Sequence, residues 1–531
     1  MQTEQLALLM DILRKNRTSC YGEKHSFSQI NNYAEFITRI PINTFADLAP
    51  YVEQIKNGES NIMTSDPIIR FNITSGTTDK PKYIPITKSG LSQTETALQQ
   101  WISSALRDHP SLLDHAFVCI SGASIEGKTE SGIPYGCASG LMYKLLPQKI
   151  HNLFTLPFYL SKIENYDLRY YLMARLAIEH ETSFLVTPNP STLIRFAETA
   201  ITYQKEIIHS IRNGALFHKV PFELNENDSQ IVKTISANLQ PNNNRADFLE
   251  AIIKKYGKLL PSSYWKKLKL IGCWLGGSCG FQIDKLTKYF GSNISFRDIG
   301  YLASEGTMTI PTEDNTSAGV IALQNNFYEF IPLNHSSSTR ADPLLCHQLK
   351  KGKQYKILLT NCNGLYRYDI NDIIEVCGYK NQMPLIAFIR KGGEMLNITG
   401  EKLHANHLAI AMHRLAKESG ISVAHFKAVP NYTEMCYEIL VQISGQELQK
   451  DLQDKILPCL DKYLSKANLE YAAKRKSKRL NEPRLHLMDS SWADALRKHY
   501  VATRGHDIQY KWQTMTTEIS ELDKKHMLVN Q

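Results

Sequence analysis

Four clusters of residues in this 531-residue chain have types and spacings that could do chemistry. The first is Thr74-Ser75-Gly76-Thr77-Thr78-Asp79-Lys80-Pro81-Lys82. Its hydroxyls, its backbone N–H groups and its terminal ammonium suit polyphosphate oxygens. The spacing is not G-x-x-x-x-G-K-[ST], which excludes an ordinary nucleotide P-loop; a polar hairpin turn is the plain alternative. The second is Trp274-Leu275-Gly276-Gly277-Ser278, where paired glycines let backbone approach a planar ligand, although a tight turn needs them equally. In the third, Gly300-Tyr301-Leu302-Ala303-Ser304-Glu305-Gly306-Thr307, a ring can stack on a base. The carboxylate four residues later can hold Mg²⁺ against phosphate; solvated loop residues are the alternative. The fourth, Gly364-Leu365-Tyr366-Arg367-Tyr368-Asp369-Ile370-Asn371-Asp372, puts Asp372 at an expected strand end, where a carboxylate can grip ribose hydroxyls or merely face solvent.

The elements that must position these clusters follow from hydrophobic patterning. Residues 67–87 read as strand, polar loop, strand: IIRFNI, TSGTTDKPK, YIPIT. TETALQQWISSAL then repeats apolar positions at helical spacing. Strands at FVCIS, SFLVTP, LKLIGCWL and NISFRDIGYL alternate with helical stretches, which predicts an α/β body with largely parallel strands. After about Val320 the strands become consecutive (GVIALQ, FYEFIPL, KQYKILLT, LYRYDINDIIEVCGY), as in an appended antiparallel subdomain. The break at Arg390-Lys391-Gly392-Gly393 precedes a mixed helix and strand region, so the expected domains are 1–390 and 391–531. No internal repeat is present.

Composition narrows the partners. With 61 Lys+Arg against 52 Asp+Glu the net charge is +9, which fits an anionic small molecule as easily as nucleic acid. The basic run Lys474-Arg475-Lys476-Ser477-Lys478-Arg479 lacks an aromatic platform and reads as a solvated helix face, not a nucleic-acid surface. No apolar stretch approaches the ~20 residues that span a bilayer, and no membrane partner is expected. MQTEQLALLMDILRKNRTS reads as an amphipathic opening helix rather than a signal peptide. Ten scattered cysteines without a Cys-x-x-Cys pair fit reduced thiols in the cytoplasm. Cys273 and Cys279 have no paired histidine at recognisable spacing and are expected to be buried or incidental. Glu401, His404, His407 and His413 lie along a helical stripe and read as structural groups in preference to a Zn²⁺ site.

The ordered set of motifs carries a resemblance. TSGTT-x-x-x-K, Y-x-x-S-E, YRY-x-x-x-D and a basic hinge look like the adenylate-forming superfamily. FNITSGTT with KYIPIT, SGIPYG, WLGG, YLASEG, FYEFIP, GLYRYDINDII and TGEKL, followed by Asn468, Tyr471, Arg475, Trp492 and Gln509-Tyr510-Lys511, resemble the Gretchen Hagen-three, auxin-responsive acyl-acid amido synthetase family, in a bacterial-type member. The resemblance implies a firefly-luciferase-like α/β fold: a large N-terminal domain with a β subdomain and a small mobile C-terminal α+β domain. It implies ATP and Mg²⁺, a small carboxylic acid and an amine, typically an amino acid, as the ligands. Thr74, Ser75, Gly76, Thr77, Thr78 and Lys82 would then cradle phosphates, and Glu305, next to Ser304, would hold Mg²⁺. Tyr301 with Gly276 and Gly277 would sandwich adenine, Asp372 would bind ribose, and Arg390 would contact ribose or phosphate. Lys511 would be delivered by the small domain during adenylation. Two positions depart from the family: Asn371 replaces a common Gly, and Lys511 is followed by Trp-Gln-Thr where K-x-P-R is usual. An acyl-coenzyme A ligase using the same first step, or an inactive interaction protein on this fold, are the alternatives.

Overall fold

This computed structural model describes the chain apart from residues 75–81, 164, 219–221, 277–278, 280–282, 334–341, 393–394, 445–451, 505–512 and 529–531. It divides into two compact units, Met1–Thr74 with Pro81–Gly392, and Gly393–Gln531. The opening helix, Gln2–Lys15, is amphipathic and buries Leu9, Ile12 and Leu13.

In the first unit, β1 (Ile68–Thr74) and β2 (Lys82–Thr87) pair antiparallel. The helix Lys88–Asp108 starts at once, because the Thr87 side chain accepts from the Gly90 N–H and caps it. A parallel sheet follows, with β3 (Ala116–Cys119) at its edge. Two short strands, β4 (Gly127–Lys128) and β5 (Pro134–Gly136), extend the first sheet in the order β2-β1-β5-β4. Strands β6 (Thr182–Val186), β7 (Leu270–Gly272) and β8 (Ser295–Arg297) complete the parallel sheet in the order β3-β6-β7-β8. Parallel strands need both faces covered. Here the helix Tyr166–Ile178, buried on nearly every side, and the Asn189-capped helix Pro190–Thr202 belong to that core.

The consecutive strands form a separate antiparallel sheet. After the small hairpin of β9 (Leu302–Ala303) and β10 (Gly306–Thr307) come β11 (Thr309–Ile310), β12 (Gly319–Ile321), β13 (Phe327–Pro332), β14 (Gln354–Thr360), β15 (Tyr368–Lys380) and β16 (Met383–Lys391). Their order is β11-β12-β16-β15-β14-β13. Arg390 and Lys391, which the sequence places in a Gly-rich break, are the last residues of β16.

The second unit opens with a hairpin of β17 (Met395–Leu396) and β18 (Leu403–His404). Strands β19 (Ser422–Asn431), β20 (Cys436–Ser444) and β21 (Arg484–Met488) form its sheet, antiparallel and then parallel. The helices Ala405–Ser419 and Leu452–Ala467 share a core with it through Leu408, Met412, Leu460 and Ile439. The basic run is not a uniformly solvated face. Arg475 binds Asp461 at 2.7 Å, and the Lys474 side chain is 14% exposed, with burial drawing its pKa down to about 8. Lys476 and Lys478 are exposed. No helix among the described residues is long and apolar enough to cross a membrane.

Candidate active site

Glu305 sits at the tip of the β9–β10 hairpin, where Ala303 pairs with Gly306 and leaves Ser304-Glu305 as a two-residue turn. The Asn72 side chain pins that turn to β1 by donating to the Ser304 carbonyl at 3.1 Å, and Asn361 donates to the Glu305 carbonyl at 3.0 Å. The carboxylate itself is nearly unengaged. It is 7% exposed, and its one side-chain hydrogen bond among the described residues is a long one, 3.4 Å from the Tyr368 hydroxyl. A buried carboxylate in that condition needs a cation. Its hard oxygens fit Mg²⁺.

The Tyr301 hydroxyl donates to Asp372 Oδ2 at 2.5 Å, and burial together with that carboxylate raises its pKa well above the ordinary value. Asp372 is not a strand-end residue: it is the fifth residue of β15 and only 2% exposed. It follows Asn371, also in β15, whose φ of 60° is the left-handed geometry that Asn tolerates in place of Gly. The Tyr301 ring lies 5.5 Å from the Phe388 ring on β16. Gly276 approaches the same residue so closely that a Cβ there would stand 3.2 Å from the Phe388 carbonyl oxygen.

Sequence reasoning passed over Asp298, which joins two of the motifs. One carboxylate oxygen accepts from the Leu275 N–H and the other from the Gly300 N–H, both at 2.7 Å. Burial pushes this carboxyl up to about 7, opposed by the N–H groups of Leu275, Gly300 and Gly276. Gly300, at φ 100°, must be glycine, because a Cβ would stand 2.6 Å from the Thr309 carbonyl oxygen. An acid two residues before such a glycine, at the end of an apolar strand, was the available signal.

Ser304, Glu305, Tyr301, Asp372 and Gly276 are thus linked through β1, β15 and β16. Lys82 opens β2 opposite Thr74, with its ammonium 5.4 Å from the centre of the Phe45 ring. The Arg390 backbone pairs with Ile373, next to Asp372. Ser75, Gly76, Thr77, Thr78, Gly277 and Lys511, together with the side chains of Thr74 and Arg390, lie outside the described residues. The Glu401–histidine stripe serves another purpose. The Glu401 carboxylate accepts from the Ile398 and Thr399 N–H groups and from the hydroxyls of Thr399 and Tyr437. His407 Nδ1 accepts from the His404 N–H. Cys273 and Cys279 are buried, and burial raises the Cys273 thiol well above its usual pKa.

Comparison with known proteins decides the family. Residues 1–294 match the GH3 family N-terminal domain, 319–391 its central domain and 406–519 its C-terminal domain. The chain belongs to the GH3 family. Among its relatives, a jasmonoyl–L-amino acid synthetase of Oryza sativa subsp. japonica is 25% identical, with 95% of this chain and 90% of that protein covered. An indole-3-acetic acid-amido synthetase of Arabidopsis thaliana is 23% identical, with 84% of this chain and 86% of that protein covered. The fold is the adenylate-forming one. The solved GH3.15 acyl acid amido synthetase in complex with 2,4-DB has a TM-score of 0.66 at 17% identity, with 99% of this chain and 94% of that chain covered. A 2-hydroxyisobutyryl-CoA ligase has a TM-score of 0.50 at 13% identity, with 98% and 90% covered.

Proposed function

We propose that this GH3 protein is an ATP-dependent acyl-acid amido synthetase acting in the cytoplasm on a small carboxylic acid and an amino acid or similar amine. The observation that carries the reading is Glu305: a buried carboxylate with one long hydrogen bond, on a hairpin fastened to β1 two residues from the hydroxyl-rich loop. The amido synthetase names of the relatives support it.

In this reading an oxygen of the acid attacks the α-phosphorus of ATP and the bond to the β-phosphate breaks, giving acyl-AMP and pyrophosphate. The amine nitrogen then attacks the acyl carbon, AMP leaves with the bridging oxygen, and the nitrogen loses a proton. The protein's part is positioning and charge stabilisation. Thr74 to Thr78 and Lys82 hold phosphate oxygens. Asp372, oriented by the Tyr301 hydroxyl, accepts from ribose hydroxyls, and Arg390 lies beside it in the register. Tyr301, Gly276 and Gly277 flank the base, with Asp298 fixing the backbone before both segments. Glu305, next to Ser304, would hold Mg²⁺, which when bound would offset phosphate charge. Residues 1–390 form the binding domain, and 391–531 the small domain that brings Lys511 to the adenylation step.

The test is product analysis with acids, ATP, Mg²⁺ and an amino-acid mixture, without coenzyme A. Acid-dependent AMP and pyrophosphate together with an amide mass are expected. ADP and phosphate, or a product only with coenzyme A, would overturn the reading.

A further inference from the structure

Four arginines of the described chain are buried: Arg70, Arg175, Arg297 and Arg367. Three of them face carboxylates at ion-pair distance, Arg175 with Glu179, Arg297 with Asp108 and Asp314, and Arg367 with Glu329. Arg70, 7% exposed on β1, has no such partner among the described residues. Its guanidinium donates from Nη2 to the Ser124 carbonyl at 3.0 Å, while its Nε, shielded from solvent, has no hydrogen-bond partner among the described residues. Burial draws its pKa down, with Cys137 and Glu126 opposing the shift from beyond hydrogen-bond reach. A buried cation with no carboxylate at ion-pair distance among the described residues is expensive and calls for an anion.

Asn72, two residues on, shares that face of β1, since side chains alternate along a strand. Its Nδ2 reaches Ser304 next to Glu305, and its buried Oδ1 has no partner among the described residues. The wall facing Arg70 is built tightly. A Cβ at Gly136 would stand 2.3 Å from the Ser124 carbonyl oxygen, and one at Gly140 would stand 2.5 Å from the Ser124 nitrogen. The Cys137 thiol donates to the Ala123 carbonyl at 3.1 Å. The acceptor that Arg70 already uses is therefore held in place, and its buried Nε stays open among the described residues.

We propose that Arg70 holds a second carboxylate of the acyl acid, so that the preferred substrates are dicarboxylic acids with one carboxyl group adenylated near Glu305 and the other held at β1. This assignment rests on the adenylation reading. A carboxylate there meets Arg70 Nε, and Asn72 Oδ1 is left to accept from a donor on the acid's connecting chain.

The test uses the full-length protein with a series of dicarboxylic acids of increasing chain length, each beside its monomethyl ester. Two readouts are taken: acid-dependent ATP–pyrophosphate exchange, and acid binding by calorimetry without nucleotide. The wild type should favour the diacid by about 10–100-fold in both, the size of one charge-assisted hydrogen bond. Arg70→Met should bring that ratio close to one, and Arg70→Lys, which keeps the charge but loses the planar fork, should fall between. A wild type that treats diacid and ester alike overturns the proposal whether or not the variants fold. An unchanged ratio in folded Arg70→Met overturns it too. Exchange with the esters but no diacid preference defeats this proposal alone, whereas exchange with no acid at all defeats the adenylation reading beneath it.

Discussion

Two buried carboxylates, Glu401 in the second unit and Glu305 in the first, each accept from a tyrosine hydroxyl, and they differ in one respect. Glu401 is fully engaged: it accepts from two backbone N–H groups and two hydroxyls. In the first unit Glu305 has one long bond, from Tyr368, among the described residues. A saturated carboxylate stabilises a turn; an unsaturated one of equal burial keeps its capacity for a ligand. Burial alone does not separate them.

Glu401→Ala should give the largest effect. It strands two backbone donors and two hydroxyls in a buried place, at about 1–3 kcal/mol each before relaxation. A loss of about 3–5 kcal/mol is expected, read as early unfolding of the second unit in urea or as protease sensitivity after Gly393. A melting curve close to wild type would break the comparison.

Glu305→Gln should do the reverse. Adenylation should fall by about 10²–10³, the size seen for one lost electrostatic group, while stability stays within about 0.5 kcal/mol. Equal losses in stability and rate would make Glu305 structural like Glu401.

For Asp372→Ala the expected change is smaller and specific to nucleotide. Removing charge-assisted bonds worth about 1.5–3 kcal/mol each should weaken ATP binding by about one to two decades. Unchanged ATP affinity in the folded variant, by calorimetry, would remove Asp372 from the site.

The smallest effect concerns Asp298. Burial holds its folded-state pKa at about 7 against 3.8, so in the folded chain it keeps a proton that the unfolded chain releases. That contribution to stability is fully present below about pH 4 and is lost as pH rises through about 7, at up to ~1.4 kcal/mol per pH unit. The stability difference between wild type and Asp298→Asn should therefore shift between pH 5 and 7.5, whereas a constant difference would mean that the carboxyl ionises normally.

Local patterning made much of this legible. The strand–loop–strand around the hydroxyl-rich segment, the parallel strands and the later antiparallel series all follow from apolar runs and their spacing, because those runs have one favourable way to be buried. Tyr301, Glu305 and Asp372 were legible as polar groups in loop-like contexts. Asp298, Asn72 and Arg70 were not: each lies within or beside an apolar strand, and only its partners distinguish it from a core substitution.

The sequence by itself determined the family, the order of the elements and which residue types stand at each motif, since these depend on spacing along the chain. Only the tertiary structure decided that Asp372 lies inside a strand against Tyr301, that Glu401 is saturated while Glu305 has one long bond among the described residues, and that Arg70 alone among the four described buried arginines has no described carboxylate at ion-pair distance. Those are statements about hydrogen-bond capacity filled by residues hundreds of positions apart, and no local pattern records how it is filled.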